Sequence, residues 1–257
     1  MTAASQRGLP GTRPEGARDE AEAAAHVREM FGRIAPRYDL LNHLLSLDFD
    51  KRWRRRVAKK FSHILHEPRA QVLDLCCGTG DLAFAFRKEA PKGAAIVGSD
   101  FAPEMLVRAR AKAAALGAAV EFVEADALRL PFPEGSFDLV SCAFGFRNLA
   151  NYQQGLREFL RVLKPGGAVG ILEFAEPPGR VFGAAYRFYF RRILPRLGGI
   201  ISGDAAAYAY LPTSVSKFPS PEELNMYFER AGFEDAGFER WTGGIVTLHT
   251  GYRHHGK

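Results

Sequence analysis

Cysteine is scarce in this chain of 257 residues, and the three that occur are poorly placed for structural roles. Cys76 and Cys77 are adjacent, which is a poor arrangement for bridging each other, and the odd count leaves Cys142 over. The pair His63-x-x-His66 has no evident third ligand, so a solvated helix face explains it better than a metal site. We therefore expect no disulfide framework, no bound metal and a reducing, intracellular setting.

Long apolar runs are also missing, although hydrophobic residues make up 47% of the chain. No stretch approaches the roughly 20 apolar residues that a transmembrane helix needs. The first two dozen residues are rich in Ala, Gly, Arg and Glu, and they lack the apolar centre of a signal peptide. We expect residues 1–24 to form a disordered tail, residues 25–257 to form one domain, and the protein to be cytoplasmic.

Acidic residues are outnumbered, since 35 Lys and Arg face 29 Asp and Glu and the net charge is +6. The excess is concentrated in Lys51–Lys60, where seven of ten residues are basic. A second basic group consists of Arg187, Arg191, Arg192 and Arg196. A basic patch can attract nucleic acid, anionic lipid or an acidic substrate, but a solvated helix face is the commoner explanation. Charge alone leaves the partner open.

Two segments, residues 25–68 and 176–218, differ in pattern from the region between them. Residues 25–68 are predicted to form a helical extension, because apolar residues recur there at spacings of four, four and three. These residues are Trp53, Val57, Phe61 and Ile64. Residues 176–218 are rich in aromatics and arginine and are interpreted as a lid or insertion. A helix start follows at Ser220-Pro221-Glu222-Glu223, which has the pattern of a capping box.

Between these segments, short apolar runs alternate with amphipathic stretches. The predicted strands are Gln71–Leu75, Ala95–Ser99, Val120–Val123, Phe137–Cys142, Ala168–Phe174, Phe233–Trp241 and Ile245–Tyr252. The predicted helices are Leu82–Glu89, Pro103–Leu116, Tyr152–Leu163 and Glu222–Ala231. Strands that alternate with helices indicate an α/β fold with a parallel sheet covered on both faces, and the last two strands are predicted to form an antiparallel hairpin.

The first strand ends in Asp74 and leads into Gly78-Thr79-Gly80, a loop that lets backbone approach a ligand at the carboxyl end of a parallel sheet. A dinucleotide site would need Gly-x-Gly-x-x-Gly, with a pyrophosphate at the helix N-terminus. Here Cys76 stands at the first glycine position, and the carboxylates of Asp74 and Asp81 would repel a phosphate. A sulfonium cation with an amino-acid head group would be attracted to an acid, so the charge balance favours S-adenosylmethionine over NAD.

Further polar residues follow the next two strands. Asp100, twenty residues past Gly80, ends the second strand, where an acid can accept both ribose hydroxyls in either nucleotide family. The third strand leads to Asp126 and Ala127, which can offer a carboxylate and a backbone N–H to an adenine ring. Each strand-ending acid is also explicable as a helix N-cap. Their order at successive strand ends predicts a nucleotide-type site.

The run from Gln71 to Phe174 resembles class I methyltransferases, and residues 26 to 253 resemble the menaquinone/ubiquinone biosynthesis C-methyltransferase family. The closer resemblance is carried by Met30–Asn42, Phe144–Asn148, Arg161–Gly167, Tyr208–Pro212 and Thr242–Val246. It implies a Rossmann-like class I fold with a mostly parallel seven-stranded sheet. Residue chemistry and resemblance together assign S-adenosylmethionine to Asp74, Gly78, Thr79, Gly80, Asp100, Asp126 and Ala127.

The resemblance further implies methylation of a ring carbon on a polyprenyl quinol, with demethylmenaquinol to menaquinol as the leading interpretation. Benzoquinol methylation in ubiquinone biosynthesis and another small-molecule or lipid methyltransferase are the alternatives. A deprotonated quinol hydroxyl would push electron density onto the carbon that receives the methyl, so a base would assist. Asp39 and Arg147 are the catalytic candidates, although a cap and a structural ion pair are the commoner explanations. Tyr38 is considered beside Asp39, and Tyr210 or His249 would line the quinol pocket, with a satisfied strand residue as the commoner explanation of His249.

A lipid tail on the substrate requires contact with a membrane. Residues 180–194 mix aromatics and arginines as an interfacial segment does, and a lid or dimer surface would look the same. The expected partners are the quinol, the inner face of a membrane and a second copy in a homodimer. No nucleic acid is expected, because Ser141-Cys142-Ala143-Phe144 is unlike the motif of nucleic-acid methyltransferases. A non-catalytic quinone-binding assembly protein is the alternative of a different class, and it would be expected to have lost the glycine loop or Asp100.

Overall fold

The computed structural model describes residues 11–14, 16–37, 46, 48–179, 181–189, 192 and 205–256. These residues contain a seven-stranded sheet in the order β3-β2-β1-β4-β5-β7-β6. The strands are β1 (Gln71–Leu75), β2 (Ala95–Asp100), β3 (Glu121–Glu124), β4 (Phe137–Ala143), β5 (Leu163–Phe174), β6 (Phe233–Trp241) and β7 (Val246–Arg253). β1 to β5 pair in parallel, and β7 is antiparallel to β5 and β6. The predicted Rossmann-like, mostly parallel seven-stranded sheet is confirmed.

Helices cover both faces of this sheet. They are α1 (Glu20–Ile34), α2 (Phe49–Lys60), α3 (Ser62–Leu65), α4 (Asp81–Glu89), α5 (Pro103–Leu116), α6 (Tyr152–Val162), α7 (Val181–Phe188), α8 (Ala205–Lys217) and α9 (Pro221–Ala231). Short 3-10 turns occupy Ala35–Arg37, Phe146–Asn148 and Thr242–Gly244. Apolar side chains of α2 and α4 pack on one face, and those of α6 and α9 pack on the other. The central strands are therefore buried from both sides, which explains their nearly continuous apolar sequence.

The apolar stripe predicted on the helical extension lies in the core. Trp53, Val57 and Phe61 are buried, and Ile64 packs partly buried against the same cluster. Phe61 ends α2 with its ring against the backbone of Gly170, in the middle of β5. The extension is thus fixed to the sheet by side chains that recur on one helix face.

The prediction of a disordered tail through residue 24 is wrong for residues 20–24, which form the first turns of α1. Asp19 accepts a hydrogen bond from the backbone N–H of Glu22, and acids at Glu20 and Glu22 lie in the first turn. Both features stabilise a helix N-terminus. The alanine-rich and glutamate-rich composition that suggested a tail is equally favourable for a helix.

Strand β5 begins five residues earlier than predicted. Residues 164–167, which separate the predicted helix Tyr152–Leu163 from the predicted strand, lie inside β5, because Phe137 of β4 pairs with Leu163 and Leu139 pairs with Ala168. The extra residues bulge out of the ladder, with Gly166 at a φ of 77°. A bulge keeps the chain in the sheet where a simple turn would have ended it.

The capping box predicted at the start of α9 is present. Ser220 and Glu223 each accept a hydrogen bond from the backbone N–H of the other. Of the predicted lid, α7 and α8 are described, and Val215 of α8 packs near Phe174, Tyr186 and Tyr189. Arg191 and Arg196 lie outside the described residues. Within the described ranges, no helix combines the length and the apolar character needed to cross a bilayer.

We expect Gly170→Ala to lower the free energy of unfolding by about 1–3 kcal/mol, because the added carbon overpacks a buried ring. A Cβ at Gly170 would lie 2.5 Å from Cε2 of Phe61. Gly237→Ala in β6 is the matched control, since a Cβ there meets nothing within 4 Å. Urea unfolding of both variants provides the test. Equal stability of the two variants would contradict the described packing.

Candidate active site

A cleft opens where the parallel strands end, the edge at which ligands bind in open α/β sheets. It lies between the loops that follow β1 to β4 and the helix α1, and its empty space, counted with its opening to solvent, is about 700 Å³. Its lining includes Gly78, Asp100, Asp126 and Ala127. A smaller recess beside it is lined by Asp74 and Thr79 and shares Cys76 with the cleft. The structure therefore brings predicted cofactor residues from three chain segments into two adjoining spaces.

The turn between β1 and α4 contains three residues with left-handed backbone. Cys76, Gly78 and Gly80 have φ values of 51°, 56° and 89°. This conformation suits glycine but costs a residue with a β-carbon about 1–2 kcal/mol, so Cys76 is strained at the cleft wall. A Cβ at Gly80 would lie 2.9 Å from the ring of Phe122. Gly80 shapes the turn, while Gly78 and Thr79 face the two spaces.

Asp100 ties the glycine loop to the end of β2. Its Oδ2 accepts the backbone N–H of Gly78 at 2.8 Å, and its Oδ1 accepts that of Ala102 at 2.9 Å. Burial raises the pKa of Asp100 to about 6, although these N–H groups favour the ionised form. A carboxylate oxygen has two lone pairs, so both oxygens keep acceptor capacity toward the cleft. This arrangement can accept a pair of hydroxyls from a sugar.

Asp126 and Ala127 follow β3 at the far side of the cleft. Oδ1 of Asp126 accepts the backbone N–H of Leu128 at 2.9 Å, which makes a local turn of the kind that Asp favours. The Asp126 side chain is exposed and Ala127 is buried. The turn fixes the direction of the Asp126 carboxylate at the cleft wall, where a planar base can meet it.

Asp74 is buried at the carboxyl end of β1. Its Oδ1 accepts the hydroxyl of Ser141 at 3.0 Å, whereas Oδ2 is buried without a hydrogen-bond partner within the described part of the chain. Burial raises the pKa of Asp74 to about 7, against the opposing effects of Ser141 and the nearby Arg54 guanidinium. A buried polar atom of this kind normally has a partner. The orphaned oxygen fits an ammonium group on a ligand.

Arg54 is a site residue that the sequence reasoning missed. It lies in the basic segment of α2, expected to be a solvated face, but its side chain is buried beside the recess. It pairs with Asp50, one helical turn earlier, and lies 3.7 Å from Oδ2 of Asp81. Asp81 also pairs with Lys112 at 2.5 Å. Two basic residues therefore neutralise Asp81, and Asp74 is the acid that suits a cationic ligand. The spacing of Asp50 and Arg54 was the available signal.

The loop after β4 is held by a buried ion pair. Nη1 of Arg147 lies 2.7 Å from Oε1 of Glu173, and the Arg147 backbone N–H donates to Oε2 at 3.0 Å. The guanidinium also donates to the carbonyl of Phe144. Arg147 is not part of the cleft lining, but its neighbours Gly145 and Asn148 are. The pair therefore shapes the cleft wall from behind.

The remaining residues considered from the sequence lie in three different settings. His249 is buried in β7, where its Nε2 is 2.9 Å from the carbonyl of Pro221 and its Nδ1 has no hydrogen-bond partner among the described residues. Tyr210 of α8 donates its hydroxyl to Oδ1 of Asn148, a cleft residue, at 3.2 Å. Tyr38 and Asp39 lie outside the described residues. Among the residues the structure describes, no cluster of His, Cys, Asp or Glu could hold a metal ion.

Comparison with known proteins shows a match along almost the whole chain. The sequence model of the ubiE/COQ5 methyltransferase family matches residues 18–253. A demethylmenaquinone methyltransferase of Thermus thermophilus is 54% identical over 87% of this chain and 100% of its own length. A ubiquinone/menaquinone biosynthesis C-methyltransferase UbiE of Geobacter sulfurreducens is 45% identical over 90% of this chain and 89% of its own.

Solved structures share the fold at low identity. The [4+2]-cyclase SpnF covers 97% of this chain and 100% of its own at 18% identity, with a TM-score of 0.68. A SAM dependent methyltransferase from Aquifex aeolicus covers 77% of this chain and 88% of its own at 22% identity, with a TM-score of 0.57. These likenesses establish the architecture, and the family match establishes the class of enzyme. The chain belongs to the ubiE/COQ5 methyltransferase family and is an S-adenosylmethionine-dependent C-methyltransferase.

Proposed function

We propose that the protein methylates a ring carbon of a polyprenyl naphthoquinol and so converts demethylmenaquinol to menaquinol. The observation that carries this proposal is the 54% identity to the Thermus thermophilus demethylmenaquinone methyltransferase, over the full length of that relative. A second relative with the same name, from Deinococcus radiodurans, is 50% identical over 95% of its length. The Geobacter sulfurreducens relative, whose name includes both ubiquinone and menaquinone, is 45% identical, so the two more similar relatives named here favour the naphthoquinol over the benzoquinol.

The two adjoining spaces fit S-adenosylmethionine in our proposal. Asp100 would accept the ribose hydroxyls, while the Asp126 carboxylate and the Ala127 N–H would meet the adenine. The orphaned oxygen of Asp74 suits the amino group, and the buried guanidinium of Arg54 suits the carboxylate. Thr79 lines the same recess as Asp74 and Arg54. When bound, the cofactor supplies an electrophilic methyl group on a sulfonium.

Arg147 acts in this proposal as a positioning residue and not as the base. Its guanidinium and its backbone N–H both engage Glu173, whose side chain is fully buried. An arginine in such a pair keeps its proton, because the carboxylate stabilises the cation. It fixes the loop whose Gly145 and Asn148 line the cleft. Asp39 stays the candidate for taking the quinol proton.

Product analysis tests the proposed substrate directly. The protein is incubated with S-adenosylmethionine and either demethylated naphthoquinol or demethylated benzoquinol, and mass spectrometry follows addition of one methyl group. We expect methylation of the naphthoquinol at the higher kcat/KM. Preference for the benzoquinol would assign the protein to ubiquinone formation. Methylation of neither would remove the quinol proposal and leave the family membership standing.

The affinity for S-adenosylmethionine should weaken as the pH falls through about 7, the pKa of Asp74. A proton on Asp74 competes with the ligand's ammonium group, so the effect approaches tenfold per pH unit below this pKa. Asp74→Asn should bind more weakly above the pKa and lose the step near 7, leaving the step near 6 that belongs to Asp100. Calorimetric titration with S-adenosylmethionine, at pH values that span both steps, measures the affinity of the wild-type protein and of Asp74→Asn. Asp138→Asn, at a strand acid outside the cleft, serves as the control.

Peripheral contact with a membrane follows from the lipid tail of the proposed substrate. The ring of Phe188 at the end of α7 is 63% exposed and adjoins Arg187, as expected of an interfacial segment. We expect weak flotation with anionic vesicles at low salt, reduced by Phe188→Asp. Val107→Asp on α5, where Val107 is 64% exposed, should leave flotation unchanged. Sedimentation as a dimer without any flotation would favour a homodimer surface instead.

A further inference from the structure

The segment Gly11–Arg13, here called the strap, is packed against the cleft although it precedes the residues that match the family model, which begin at 18. Thr12 is only 7% exposed, and its backbone N–H donates to the carbonyl of Leu149 at 2.8 Å. A Cβ at Gly11 would lie 1.9 Å from the carbonyl carbon of Ala150. Such close backbone approach is open only to glycine, so the first residue of the strap is adapted to this contact.

The arginine of the strap anchors it to the same wall. Nη1 of Arg13 donates to the carbonyl of Ala150 at 2.9 Å and to that of Thr12 at 3.0 Å. Arg13 also lies 3.5 Å from Glu20, and Oε1 of Glu20 accepts from the side-chain amide of Asn151 at 3.2 Å. These contacts fix the strap along residues 149–151, next to cleft-lining backbone.

The threonine of the strap reaches across to the predicted lid. Oγ1 of Thr12 is 2.8 Å from the hydroxyl oxygen of Tyr210 on α8. Tyr210 donates its own proton to Oδ1 of Asn148 at 3.2 Å, so the Thr12 hydroxyl is the donor to Tyr210. Consecutive hydrogen bonds thus connect Thr12 of the strap, through Tyr210 of α8, to Asn148 in the cleft wall.

These hydrogen bonds end on the part of the cleft lining that follows β4, where Asn148 lies. The proposed nucleoside contacts belong to other segments, because Asp100 ends β2 and Asp126 lies two residues past β3. The field of the Arg147–Glu173 pair reaches Tyr210, and Glu173 belongs to β5. Burial raises the pKa of Tyr210, so its hydroxyl stays neutral and keeps its donor role.

We propose that the strap completes the acceptor pocket, with Thr12 as a positioning residue that holds Tyr210 and Asn148 for the methyl-accepting substrate. The inference rests on the proposed function for the identity of that substrate, a quinol. Without the Thr12 hydroxyl, Tyr210 loses a donor and α8 loses its link to the cleft wall. The hydrogen bonds of Asp100 and Asp126, the proposed nucleoside contacts, involve neither Thr12 nor Tyr210.

Kinetics and hydrogen exchange test the strap together. We expect Thr12→Val to raise KM for the quinol about three- to tenfold, the value of one hydrogen bond, with an unchanged Kd for S-adenosylmethionine. Thr12→Ser should restore the wild-type KM, since it keeps the donor. Tyr210→Phe should raise KM at least as much, because it also removes the bond to Asn148, and adding Thr12→Val to Tyr210→Phe should have no further effect. Ser216→Ala, which removes an exposed hydroxyl from the same helix, is the control.

Amide exchange in residues 205–217 should be faster in Thr12→Val than in wild type, whichever substrate the enzyme uses. If neither quinol is methylated but amide exchange in residues 205–217 is still faster in Thr12→Val, the proposed function is contradicted and the strap proposal is supported. If the quinol is methylated and Thr12→Val changes neither KM nor exchange, the strap proposal is overturned. Equal losses in Kd for S-adenosylmethionine and in quinol KM would also overturn it, because they indicate general destabilisation.

Discussion

The active site depends on how closely the chain after β4 approaches the chain after β1. A Cβ at Gly145 would lie 2.3 Å from Cβ of Cys76, so only glycine permits this approach. Phe144 and Cys76, on the two sides of it, both have left-handed backbone. Strained backbone of this kind persists only where the surrounding packing fixes it, and aromatic packing around Phe144 does so here. The Phe144 ring packs 4.5 Å from that of Phe174 and 5.9 Å from that of Trp53.

Three buried carboxylates at this edge differ in how many hydrogen bonds they accept. These differences distinguish a carboxylate that holds the structure together from those that can bind a ligand. Glu173 is bonded by the side chain and the backbone of Arg147 and is therefore part of the scaffold. Asp100 is bonded by two backbone N–H groups and keeps spare lone pairs. Asp74 has one hydroxyl donor and one orphaned oxygen. Since unpaired buried charge is costly, the least satisfied carboxylate has the most to gain from a cationic ligand.

The sequence was sufficient to predict the sheet and to place Asp100 and Asp126 at its carboxyl edge. The strands are short apolar runs, and Asp100 ends one of them while Asp126 lies two residues past the next. Local pattern could not separate Asp74 from Asp81, since only the fold shows that Arg54 and Lys112 neutralise the second of these acids. Arg54 itself was hidden among basic neighbours, because burial of one residue in a charged helix depends on its packing partners.

The contacts of the strap were even harder to predict from local sequence pattern than the burial of Arg54. Thr12 meets Tyr210 across 198 residues of sequence, and Arg13 meets Ala150 across 137. No local periodicity can reveal such contacts, and a segment rich in Gly, Arg and Pro reads as a tail. The strap also lies before the family match, so resemblance does not reveal it either. Ordering it carries an entropic cost, which the buried hydrogen bonds of Thr12 and Arg13 must offset. Because those bonds end on the cleft wall and on the lid helix, the ordering free energy of the strap is coupled to the geometry of the acceptor pocket.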